Sequence, residues 1–161
     1  MFLLAVSLGS AAADGNGPLA LPAFLEGPHI AHSALGTTYA YRGRAPHASS
    51  ALQITVVDVP PELAGPDGRT SAHCLKLFLD ELARGRAGFS SSPATEPVVA
   101  AGLTFAQVRW LDTAANGSTG VLSCAVDGSR FVALSYQDSL QGAVDSFPQI
   151  RAALAGFAVP R

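Results

Sequence analysis

The strongest constraint on this chain is a pair of tight-turn signals, Asn116-Gly117 and Asp127-Gly128, set among alternating apolar segments. Asn-Gly and Asp-Gly supply the positive φ angles that short hairpins need, so each turn joins antiparallel neighbours. Before the first turn, Ala106, Val108 and Trp110 alternate with Gln107 and Arg109. Between the turns, Leu122, Cys124 and Val126 share one face. After the second, Val132, Leu134 and Tyr136 alternate with Ala133 and Ser135. A period of two is that of a half-buried strand. These segments predict a meander of three strands over 98–111, 120–126 and 130–136. Parallel neighbours would need crossover helices, which such turns do not hold.

The stretch from Ser71 to Arg86 predicts a helix. Leu75, Phe78, Leu79 and Leu82 fall at i, i+3, i+4 and i+7, while Lys76, Asp80 and Arg84 recur on the opposite side. Thr70 or Ser71 suits the N-cap, and Gly85 or Gly88 the end. A second helix is expected near Ser146 to Phe157, with Ile150, Ala153, Leu154 and Phe157 as its stripe, Ser146 as cap and Pro148 in the first turn.

Upstream, Ala51 to Val59 reads as a strand with Leu52, Ile54 and Val56 facing away from Gln53 and Thr55. Two shorter strands over 29–34 and 37–42 put Tyr39 and Tyr41 on one face. Leu19 to Glu26 is an edge strand or extended entry broken by Pro22, and 89–97 reads as a polar loop. The predicted class is therefore α+β: an antiparallel sheet flanked by two main helices, as one domain over 19–159. With 161 residues, such a chain buries about two-thirds of its unfolded surface.

Residues 1–13 resemble a secretory signal peptide, with an apolar run from Met1 to Leu8 followed by the small residues of Gly9 to Ala13. No Lys or Arg precedes the run, and the alternative is a buried N-terminal strand or helix. Residues 14–18 form a flexible lead-in. The apolar run falls short of the roughly 20 residues that cross a bilayer, so no membrane span is expected. The expected location is exported, periplasmic or secreted. In an oxidising compartment, Cys74 and Cys124 are expected to form a disulfide; the alternative is two buried thiols. If Leu122, Cys124 and Val126 face the helix, Cys124 points toward Cys74. Net charge is -2, and the arginines are scattered without a basic run, which argues against nucleic acid as a partner.

The order of strands, an amphipathic helix, a meander over Leu103 to Tyr136 and a closing helix over Phe147 to Phe157 resembles the PsbP-like fold. That group includes photosystem extrinsic proteins, Ran-binding Mog proteins and DcrB-type bacterial envelope proteins. The resemblance covers about Leu19 to Val159 and lies in architecture alone, so no functional residue is carried over. It implies a non-catalytic accessory or partner-binding role.

Residues with catalytic chemistry are scattered. Gly-x-Ser-x-Gly is absent, and Ser118 and Ser129 sit at hairpin turns rather than at a strand-to-helix elbow. Cys74 adjoins His73, but neighbouring side chains on a helix diverge. Asp80-Glu81 reads as a solvated helix face, and no phosphate-cradling glycine loop opens a helix. His29 and His32, three apart on a strand, point to opposite faces. Together with His47, and with Asp58 or Glu26, they form the alternative reading: a small metal-dependent protein or enzyme. No cofactor is expected. The leading expectation is an exported, non-catalytic protein that binds a protein partner, in an envelope-accessory or immunity-type role. Tyr39, Tyr41, Trp110 and Tyr136 are the candidate partner-binding residues, as amphipathic aromatics enriched at interfaces.

Overall fold

A computed structural model describes residues 19–61, 68–114 and 117–160. The signal-like segment 1–13, the lead-in 14–18 and Asn116 of the first hairpin lie outside the described residues. The elements run β1 (Leu25–His32), β2 (Gly36–Gly43), β3 (Ala51–Asp58), α1 (Ser71–Ala83), β4 (Phe89–Ser91), β5 (Glu96–Ala100), β6 (Leu103–Asp112), β7 (Ser118–Asp127), β8 (Arg130–Ser139) and α2 (Ala143–Leu154). All strand pairs are antiparallel, in the order β1-β2-β3-β8-β7-β6-β4, with β5 also pairing with β6. This is the expected α+β class. The meander β6–β7–β8 forms, β7 and β8 join at the anticipated Asp127-Gly128 turn, and β8 returns to pair with β3.

Three local expectations are corrected. The segment 98–111 is two strands rather than one, because the chain reverses at Ala101 (φ 52°) and Gly102 (φ 74°). Two consecutive positive φ angles make a tight hairpin turn, but alanine is an unusual residue in the first position, so the turn has no Asn-Gly or Asp-Gly signature. The polar stretch 89–97 supplies β4 and the start of β5. Pro97 is tolerated there because β5 is an edge strand and has only β6 to pair with. Of the two readings of 19–26, the edge strand does not form before Leu25, where β1 begins, and the residues ahead of it are the entry into that strand. Its ladder slips between Glu26 and His29, where Pro28 has no N–H to donate.

The sheet is apolar on both faces. Toward α2 it presents Tyr41, Leu52, Ile54, Phe105, Val121, Val132, Leu134 and Tyr136, which pack with Ile150, Leu154 and Phe157. Toward α1 it presents Val108, Trp110, Leu122, Cys124, Phe131 and Ala133, which pack with Cys74 and Leu75. Helix α1 starts at Thr70, whose hydroxyl accepts from the His73 N–H at 3.1 Å. Its stripe of Phe78, Leu79 and Leu82 lies against the same cluster as Cys74 and Leu75. The Cys74 and Cys124 sulfurs approach to disulfide distance, with Cα atoms 5.8 Å apart. That separation suits the bond.

Helix α2 begins three residues earlier than the spacing predicts, at Ala143. Ser146 does not cap it; its hydroxyl instead donates to Asp138 Oδ2 at 2.6 Å. The Asp138 carboxylate also accepts from Ser49 Oγ, Ser50 Oγ and the Ser139 N–H, and it is only 1% exposed. Gly142 must lack a side chain, because a Cβ there would lie 2.6 Å from Asp138 Oδ1. The cluster ties the end of β8, the β2–β3 loop and the start of α2 to one buried charge. Pro148 falls in the sixth residue of the helix.

Three outcomes follow. Thiol counting on unfolded, unreduced protein is expected to find no free thiol. Opening the 50-residue loop by Cys74→Ser with Cys124→Ser should lower stability by about 4 kcal/mol in the loop-entropy picture. Burial pushes the Asp138 pKa up, but the hydroxyl and backbone hydrogen bonds outweigh it and hold the carboxyl below its usual value. A depressed folded-state pKa contributes stability that is fully present above about pH 4 and is lost as pH falls through the folded value. Asp138→Asn should therefore lower stability at neutral pH by about 1–3 kcal/mol and flatten the acid limb in urea melts below pH ~4.

Candidate functional site

The face of α2 that looks along the sheet, rather than down onto it, borders a groove of about 270 Å³. Val144, Phe147 and Arg151 line it from the helix, and Arg109, Thr119 and Val121 from β6 and β7. Phe147 and Arg151 are four residues apart on α2, so both project to the same side. Phe147 also sets its ring edge-on against Tyr136, at 4.9 Å and 89°.

Tyr136 lies beneath this wall. Burial raises the pKa of its hydroxyl, while a hydrogen bond from Arg151 and the charges of Arg151 and Arg109 act against that rise. The two guanidiniums therefore bear on one buried hydroxyl from two elements. Among the described residues, the ion pairs are Arg44–Glu26, Lys76–Asp80, Arg84–Glu81 and Arg130–Asp127; none involves Arg109 or Arg151. Thr119 Oγ1 donates to the Trp110 carbonyl at 2.8 Å, which leaves its lone pairs available on the groove side. At the helix end of the groove Val144 is 74% exposed, and Leu140 nearby in the chain is 51% exposed. The site thus joins two arginines without a carboxylate partner among the described residues to exposed apolar surface.

A second depression, of about 340 Å³, opens beside Ala101, Leu103, Phe157 and Val159. Its one charged residue, Asp127, is already paired with Arg130. It offers shape without free chemistry.

The expected aromatic surface is corrected. Tyr41 (1% exposed), Trp110 (2%) and Tyr136 (3%) are core residues, and only Tyr39 is partly accessible, packed against the α2-side cluster. The sheet has two apolar faces, so the large amphipathic rings on either face end up inside. Trp110 is held between Phe89, stacked at 5.8 Å, and Arg86, 4.9 Å above the ring. Gly120 must be glycine because a Cβ would lie 2.4 Å from that indole. Tyr136 does not line the candidate groove and meets it only through its edge-on contact with Phe147.

The histidines do not converge. His32 Nδ1 meets Thr37 Oγ1 at 3.0 Å at one end of the β1–β2 ladder. His47 packs tilted against the Phe24 ring, centroids 4.7 Å apart, beyond the other end. Glu26 is paired with Arg44 at 3.1 Å, and His73 lies on α1 against Phe131. Among the described residues, no three His, Cys, Asp or Glu side chains group as metal ligands. Sequence reasoning passed over Arg109 and Arg151, placing one on a polar strand face and the other among scattered arginines. The usable signal was the four-residue spacing of Phe147 and Arg151 on a helix otherwise apolar on its inner face.

No family model matches the chain, and no curated protein does. Solved structures do. The solution structure of the cyanobacterial PsbP protein CyanoP from Synechocystis sp. PCC 6803 aligns at a TM-score of 0.58 and 10% identity, over 95% of this chain and 99% of its own. This chain has a PsbP-like fold. A Bacteroides thetaiotaomicron protein aligns at 0.53 and 10% identity over 89% of this chain, which spans 44% of that longer protein. LpqN of Mycobacterium tuberculosis, described as involved in cell envelope biogenesis, aligns at 0.48 and 13% identity, over 84% of this chain and 78% of its own. At these identities the likeness is one of fold.

The Tyr41 hydroxyl is buried without a hydrogen-bond partner, and burial followed by the charge of Tyr39 pushes its pKa up to about 12. Tyr41→Phe removes that unpaired group and should leave thermal stability equal to or above the parent's. In an ultraviolet titration the variant should lose the last of the three tyrosine ionisations, the one near pH 12.

Proposed function

We propose that this chain is an exported, non-catalytic accessory protein that works by holding a protein partner in the groove between α2 and strands β6 and β7. The observation that carries the reading is the exposed Val144 beside two arginines that have no carboxylate partner among the described residues. A wall of this composition suits an interface: apolar anchors give affinity, and free guanidiniums give register and specificity. Export is supported by the signal-like composition of residues 1–13 and by two cysteines at disulfide distance. The non-catalytic part of the reading is supported by the groove's lining of arginines, a threonine and apolar side chains, which suits holding a partner.

The test is site-specific photo-crosslinking in the native host. A crosslinking residue at Val144 is expected to capture one stoichiometric protein. The same residue at Gln53, exposed on β3, should capture none. No adduct at Val144, or equal adducts at both positions, would overturn the reading.

A further inference from the structure

We infer that the partner segment taken by this groove is an extended peptide that places a carboxylate side chain between Arg109 and Arg151 and an apolar side chain against Val144 and Phe147. This deepens the preceding reading and rests on it, because it names the chemistry of the partner that the same groove accepts.

The charge argument comes first. Arg109 comes from the sheet and Arg151 from the helix, and both line the same groove. An arginine carries five N–H donors in a planar fork. Among the described residues no carboxylate pairs with Arg109 or Arg151. Asp145, the nearest acidic residue on α2, lies six positions before Arg151 and so about 120° away around the helix. Two guanidiniums lining one groove without a carboxylate partner among the described residues match a planar carboxylate, which accepts in a bidentate manner.

The apolar wall then separates a peptide from other anions. Inorganic phosphate has no use for Val121, Val144 and Phe147, whereas a hydrophobic neighbour of an acidic residue does. A nucleic acid would need a basic track that follows its backbone, and the chain has a net charge of -2 with its arginines dispersed. An anionic membrane would meet only Val144 and Leu140 as large exposed apolar groups at this end, and a single pair of arginines. The groove volume of about 270 Å³ holds a few side chains, not a folded domain. An acidic residue beside an aliphatic one fills it.

The experiment is an amide NMR titration of the full chain with the blocked peptide acetyl-Leu-Glu-Leu-amide and its twin acetyl-Leu-Gln-Leu-amide. Inorganic phosphate and phosphatidylglycerol vesicles serve as separate arms. The Glu peptide is expected to shift Thr119, Val121, Phe147 and Arg151, and added salt should weaken it. The Gln twin should bind about fivefold or more weakly, as should the Glu peptide to Arg109→Gln or Arg151→Gln, since a charge-assisted pair becomes a neutral one. Both arginines are exposed, so the variants should keep the parent's amide spectrum outside the groove. Equal binding of the two peptides overturns the proposal. So does phosphate or vesicle binding that shifts the same residues as strongly as the Glu peptide. If crosslinking at Val144 captures a partner while the Glu peptide fails, the acidic chemistry is wrong and the partner surface stands. Arginine-dependent binding of the peptide without any crosslink leaves the groove chemistry intact and removes the partner reading.

Discussion

Strands β7 and β8 are apolar on both faces, and the rest of the structure answers to the burial of those two faces. From Gly120 to Ala125 and from Phe131 to Leu134 every residue is buried, so neither side of the sheet centre can remain in water. One helix is needed on each side. Helix α1 covers Leu122, Cys124, Phe131 and Ala133, and α2 covers Val121, Val132, Leu134 and Tyr136. Each helix is also held by something stronger than apolar contact. For α1 it is Cys74 against Cys124; for α2 it is the buried Asp138 carboxylate with its ring of hydroxyls.

The second of these anchors positions the candidate site. Asp138 takes the Ser146 hydroxyl and leaves room only for glycine at 142, and so fixes where α2 starts and how it is rotated. That rotation sends Ile150 and Leu154 inward. It leaves Phe147 and Arg151 on the flank, across from Arg109 and Thr119. A largely buried polar cluster thereby helps set how α2 presents Arg151 to the groove that Arg109 also lines. The proposed binding rests in this way on a buried charge about one helical turn away.

Much of the architecture was legible because it is encoded locally. Asp127-Gly128 announced its hairpin, the Leu75-Phe78-Leu79-Leu82 stripe announced α1, and the Leu52-Ile54-Val56 alternation announced β3. The failures have physical causes. The β5–β6 turn uses Ala101 at positive φ, a conformation that its residue type does not advertise. Ser146 looked like a cap because its hydroxyl is suited to capping, yet a carboxylate eight residues earlier claims it. Alternation in β8 suggested one wet face, because Ala133 and Ser135 are small and mildly polar; in the fold Ala133 packs beneath α1.

The candidate site divides along the same line. By itself the sequence determined an antiparallel α+β sheet with a helix stripe for each face, and it put Cys124 on the strand face where Cys74 could meet it. Periodicity and turn chemistry act within a few residues, and they are written in consecutive letters. It did not determine which aromatics reach the surface: Tyr41, Trp110 and Tyr136 carry the same polar tips as interface residues, and only the closing of two layers over the sheet put them inside. Nor did it pair Arg109 with Arg151. They lie 42 positions apart in number, on a strand and a helix, and only the packing of α2 onto the sheet over β8 brings their charges to one groove.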